Sequence, residues 1–136
     1  MREIKFRGFN RKNNVWLYGF YLQNRGAHFV CPDEWATGKT WEDYEIDPDT
    51  LGQYTGLKDK NGKEIYDGDI LTNERGDILH VVAYSEEEAG FVGIISSLKE
   101  KSGKPFTTGL NQPWLTNKEK KVIGNIHDNP ELLKED

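Results

Sequence analysis

Cysteine is nearly missing: Cys31 is alone in 136 residues. That excludes an intrachain disulfide and a cysteine-cluster metal site. With no basic neighbour to lower its pKa, Cys31 reads as an inert, partly buried thiol. Long apolar runs are missing too. The most apolar stretch, Val15 to Leu22, is too short to cross a membrane, and MREIKFRGF has no signal-peptide core. No Asn-x-Ser/Thr sequon occurs. These absences lead to the expectation of a soluble protein of a reducing cytoplasm with no membrane partner. Catalytic signatures are lacking as well. No glycine-rich phosphate loop precedes a helix, and there is no Gly-x-Ser-x-Gly element. His28, His80 and His127 have no spacing that suits a metal or a catalytic pair, so each reads as structural or surface. No cofactor is implied.

Aromatic residues and glycine are plentiful. Four Trp, six Tyr and six Phe can anchor a modest core, and fourteen Gly with few helix-period runs point to a mainly β chain. The net charge of −5 is uneven. Residues 1–30 hold six basic side chains and one acidic, whereas residues 31–56 hold one and seven. Such segregation favours self-association or internal pairing at least as much as an external polyanion.

The segment Asp47–Leu71 fixes its backbone most closely. Asp47-Pro48-Asp49-Thr50 is turn chemistry. Leu51–Tyr54 reads as a short strand stopped by Thr55-Gly56. Asn61-Gly62 is a strong hairpin signal for a type I′ turn, and Asp67-Gly68-Asp69 is a second tight turn. Ile4–Arg7 alternates apolar and basic residues, as in a strand whose Arg2, Lys5 and Arg7 face solvent. Val15–Leu22 reads as a strand buried on at least one face, with Gly19 marking a bulge or a close backbone approach. Ala27–Cys31 returns as its hairpin partner, and Pro32–Asp43 is a loop with two Trp. Strands are expected at Asp69–Asn73, Asp77–Tyr84, Gly90–Ile95 and Lys121–His127. Ser96–Asn111 reads as a loop or a long hairpin, and Gln112–Leu115 as an apolar return. Asn129-Pro130 should start a short C-terminal helix.

The expected fold is therefore mainly β. Antiparallel coiled sheets carry an SH3-like small barrel in the C-terminal part, closed by the last strand, and a short C-terminal helix. The division expected is an N-terminal β lobe over 1–56 and a small barrel over 57–136, or one continuous domain.

Each group of chemically suggestive residues has a plainer explanation. Asp59, Glu64, Asp67 and Asp69 lack calcium-loop spacing and read as turn carboxylates. Arg75-Gly76-Asp77 reads as a hairpin turn. The basic group Arg2, Lys5, Arg7, Arg11 and Lys12, interleaved with Phe6, Phe9 and Trp16, fits single-stranded nucleic acid by stacking and phosphate contact. The acidic balance of the whole chain weighs against that use.

Three blocks, Ile4–Arg7, Thr50–Ile70 and Val122–Leu133, resemble the YopX-like family in order and spacing over essentially the full chain. Gly8-Phe9 stands where that family more often has Ala-Trp, and residues 24–43 and 96–118 match no family block. The resemblance implies coiled antiparallel sheets, a homo-oligomer, occurrence in phages and prophages, and no catalytic residues. The expectation is a non-enzymatic phage or prophage accessory protein. It would be an oligomeric binding module for a host or phage protein in the bacterial cytoplasm. The alternatives are a small-barrel nucleic-acid binder using the basic N-terminal face, and an enzyme whose site forms only between subunits.

Overall fold

The structure, a computed structural model, describes residues 3–34, 36–76, 78–99 and 105–133. Arg2 and Asp77 lie outside those residues, as do Trp35 of the Pro32–Asp43 segment and residues 100–104 of the Ser96–Asn111 segment. The chain forms two compact units, Met1–Tyr54 and Thr55–Asp136.

The first unit is an antiparallel sheet in the order β3-β2-β1-β4, with β1 at Phe6–Asn10, β2 at Val15–Asn24, β3 at Ala27–Cys31 and β4 starting at Asp47. β2 serves two partners in turn. Its first half pairs with β1, down to Phe6 opposite Gly19. Its second half pairs with β3, beginning at Phe20 opposite Cys31. Gly19 is the hinge between them. A Cβ there would stand 1.9 Å from the Cys31 carbonyl oxygen, so only glycine lets the two backbones come this close. The core behind the hinge is Phe29, Cys31 and Tyr44, with Leu17, Leu22 and Ala27 packed on it. Burial pushes the Cys31 thiol pKa up. The edge of β3 is occupied: the Val30 N–H donates to Tyr44 O at 3.0 Å and the Ile46 N–H to His28 O at 2.9 Å.

β4 corrects the sequence reading. It runs through Asp47–Lys58, so Thr55-Gly56 does not stop it. The expected turn at 47–50 survives inside the strand as a bulge. Arg7 faces Gly52 while Phe9 faces Asp47, so extra residues loop out of β4. Pro48, which has no N–H to give the ladder, sits in that excursion. Thr50 closes it, donating from Oγ1 to Asp47 O at 2.6 Å and accepting the Phe9 N–H at 2.8 Å.

In the second unit, β5 (Glu64–Tyr66) lies beside the end of β4, and a five-stranded sheet runs β10-β6-β7-β8-β9. These strands are β6 Asp69–Thr72, β7 Leu79–Ser85, β8 Gly90–Lys99, β9 Pro105–Gly109 and β10 Lys121–Asn125. The meander and the last strand stand as expected, but the SH3-like barrel does not. β10 joins beside β6, β9 extends the opposite side beyond β8, and the sheet stays open. Within the 96–111 segment the described residues up to Lys99 belong to β8 and Pro105–Gly109 to β9, and the two strands pair antiparallel. Ile65, Leu71, Val82 and Leu115, all 0% exposed, form the core, and each is worth about 1.5–3 kcal/mol relative to exposure.

Leu115 reaches that core from a helix that the sequence reading took for an apolar return: α1, Gln112–Asn117. Its signals were present. Asn111 caps it, accepting the Trp114 N–H at 2.9 Å, and Pro113 sits in its first turn. The C-terminal helix, by contrast, is a single 3-10 turn, Pro130–Leu133. Asn129 points its Oδ1 back to the Asn125 N–H at 3.2 Å instead of capping forward.

Turn geometry is also redistributed. Within Asn61-Gly62 only the glycine has positive φ, 82°, so the hairpin is not type I′. The I′ pattern occurs at Arg25 (φ 52°) and Gly26 (φ 81°), between β2 and β3. The 59–63 hairpin is held instead by Asp59. Its Oδ1 accepts the N–H groups of Asn61 and Lys63, and its Oδ2 accepts that of Val122 at 2.9 Å. Asp69 likewise accepts the Tyr66 N–H at 2.7 Å. These carboxylates are turn chemistry, and among the described residues no cluster of His, Cys, Asp or Glu is arranged to hold a metal ion.

Candidate functional site

Lys5, Arg7 and Phe9 fall on one sheet face, because alternate residues of an extended strand point the same way, and Arg11 and Lys12 lie in the turn that follows β1. Each of three cations lies against a ring. Lys5 Nζ is 5.2 Å from the Tyr54 centroid, the Arg7 guanidinium carbon 4.9 Å from Trp16, and that of Arg11 6.0 Å from Phe9. Phe9 and Trp16, opposite each other on β1 and β2, meet edge to face at 5.4 Å.

Arg7 is not the solvent-facing residue that the alternation predicted. It is 5% exposed. β1 is an inner strand, Trp16 covers the guanidinium, and the facing residue on β4 is Gly52, which leaves room for the long side chain. Lys5 is half-buried and lies 3.5 Å from Glu3.

Arg11 and Lys12 are the accessible cations, and both face acidic residues of the segment that follows β3. Arg11 donates from Nε and Nη2 to Asp47 Oδ2. Lys12 donates to Asp43 Oδ1 at 2.9 Å and lies 4.0 Å from Glu42. Asp43 is a hub. Asn13 donates to it at 3.0 Å and the Thr40 backbone at 2.9 Å. Those bonds, with the one from Lys12, hold its carboxyl well below the usual carboxylate range.

Between these groups lies an open cleft of about 460 Å³, lined by Asn10, Arg11, Lys12, Glu42, Glu45, Ile46, Asp47 and Pro48. Asn10 builds its floor and is 1% exposed. Its Nδ2 donates to Glu42 O at 3.1 Å and Glu45 O at 2.7 Å, and its Oδ1 accepts the Asn13 N–H at 2.7 Å. One side chain therefore ties the β1–β2 loop to the 42–45 segment. The cleft suits mixed-charge contact and holds no nucleophile paired with a base.

The sequence reading found Arg11 and Lys12 but not Asp43, Asp47 or Asn10. The charge segregation carried the signal, since the acidic 31–56 segment supplies both carboxylates. Outside the cleft, His28 Nδ1 and the Tyr21 hydroxyl are 2.5 Å apart across the β2–β3 hairpin. His80 is buried in the second unit, and the His127 N–H is bound by Asn125. The three histidines are dispersed. No helix among the described residues is long and apolar enough to cross a membrane.

Comparison with solved structures finds a similar chain, described as the crystal structure of protein EF1440 from Enterococcus faecalis. The two share 27% identity with a TM-score of 0.55, over 98% of this chain and 100% of that one. Comparison with curated proteins finds no match. The sequence pattern of the family described as YopX protein matches residues 5–134, the same span that holds the bulged β4, the Asp59 hairpin and the final β10. By this match over nearly its whole length, the chain belongs to the YopX family.

Proposed function

We propose that this protein is a non-enzymatic binding module of a phage or prophage. It works as a homo-oligomer in the bacterial cytoplasm and contacts a host or phage protein. The observation that carries this reading is the aromatic surface of the first unit. Tyr18 and Phe20, two apart on β2, are 48% and 51% exposed, and Trp41 is 54% exposed. Tyr18 and Phe20 stand on the sheet and Trp41 in the 3-10 turn Trp41–Asp43, and large aromatics left in water are the residue type that interfaces concentrate.

The test is light scattering coupled to size exclusion, with absorbance at protein and nucleic-acid wavelengths. A protein-only peak at a multiple of 15.7 kDa is expected. A hydrolase or transferase activity abolished by one substitution would overturn the reading.

A second reading, single-stranded nucleic-acid binding, is favoured by the three cation–ring contacts. Arg7 is buried and Arg11 and Lys12 already hold carboxylates, which ranks it second. It requires affinity for a labelled oligonucleotide that falls steeply with salt and is lost in the Arg11→Ala, Lys12→Ala double variant.

A further inference from the structure

The chain treats its sheet edges unequally. β3 is covered by Tyr44 and Ile46, as described above. β10, at one end of the second sheet, is plugged. Asp59 takes the Val122 N–H, Asn129 takes the Asn125 N–H, and the Lys60 N–H reaches Lys120 O at 2.9 Å. These are the devices by which β proteins stop their edges from recruiting another strand.

β9, at the other end, has no such cover from the described residues. It pairs with β8 along one side, and on the other side no hydrogen bond from a described residue reaches it. Its sequence, Pro105-Phe106-Thr107-Thr108-Gly109, carries no charge to repel a neighbour. Phe106 is 43% exposed, and a Cβ built on Gly109 would meet nothing within 4 Å.

We propose that the outer edge of β9 pairs with β9 of a second copy of this chain, antiparallel and centred on Thr107. The occupant follows from self-complementarity. About a two-fold axis at Thr107, threonine faces threonine, Phe106 faces Thr108, and Pro105 faces Gly109. Thr–Thr and aromatic–Thr contacts are favourable cross-strand pairs, and no like charges meet. Pro105, without an N–H, falls at the end of the ladder, where its loss matters least. Five paired residues bury less than a standard interface, so the dimer forms with concentration rather than permanently. The inference rests on the oligomeric reading above and gives it a surface.

Two variants test it, with sedimentation velocity over a range of concentrations and mild oxidation as readouts. Cys31 is 2% exposed and stays out of the reaction. Thr107→Cys is expected to yield a covalent dimer, whereas Glu86→Cys, in the exposed turn between β7 and β8, is not. Thr107→Lys places like charges opposite each other and is expected to weaken the dimer at least about tenfold with an unchanged far-UV spectrum. An oligomer that Thr107→Lys leaves intact overturns the β9 pairing while the oligomeric reading stands. A monomer at every concentration overturns both. Equal crosslinking by Thr107→Cys and Glu86→Cys reports random collision and also overturns the pairing.

Discussion

His80 stands on β7 at 4% exposure, and its Nδ1 has no hydrogen-bond partner among the described residues. Trp114 of α1 meets it edge-on at 5.3 Å, and the Lys120 ammonium lies 5.1 Å from the same indole. On the other side, Gly93 of β8 leaves only enough room for the imidazole: a Cβ there would come within 3.3 Å of it. Burial, and then the Lys120 charge, lowers the His80 pKa to about 4. The unfolded chain takes up that proton near the ordinary value of 6.5, so protonation favours unfolding. Stability from neutral His80 is complete above about pH 6.5 and is lost as pH falls toward 4. Urea midpoints measured across that window should fall with acid, and the fall should flatten in His80→Gln. The His80 ring resonance should titrate near pH 4 in the folded protein.

Among the elements, the turns hold removable strain. Ala89 closes the β7–β8 hairpin at φ 54°, where a Cβ is costly. Ala89→Gly is expected to stabilise by about 1 kcal/mol, read as a raised urea midpoint at unchanged slope. Such positions mark what was legible in the sequence and what was not. Alternation over Ile4–Arg7 gave the start of β1, the apolar run Val15–Leu22 gave β2, turn residues gave the meander, and Gly19 announced the approach of β2 to Cys31, because these are local signals. The Asn111-x-Pro113 cap was equally local, yet it was outweighed by the apolar Trp114-Leu115 pair, and a helix of six residues shows little period. The extent of β4 was hidden because Pro48 and Gly56, ordinarily strand breakers, are absorbed by a bulge and by a positive φ of 84°. The burial of Arg7 was hidden too, since it depends on Gly52 facing it across a register shift. The cleft was half visible: its cations showed in the sequence, while its carboxylates arrive through pairing that no short window contains.

For the whole molecule, the charge balance sets behaviour in acid. With a pI of about 5.3, self-repulsion vanishes in the same range in which His80 begins to destabilise the second unit. Turbidity should peak near that pH, and the protein left in solution below it should show a weakened near-UV signal. The position of β10 has a consequence for synthesis. β6 lies between β7 and β10, and its Ile70 and Leu71 are fully buried. A ribosome delivers β6 to β9 well before Lys121 emerges. Until then β6 is an uncovered edge, and the second Asp59 oxygen has no Val122 N–H to accept. The growing chain therefore waits on β10, and β6 is open to a protease or chaperone in that interval rather than after β10 has paired.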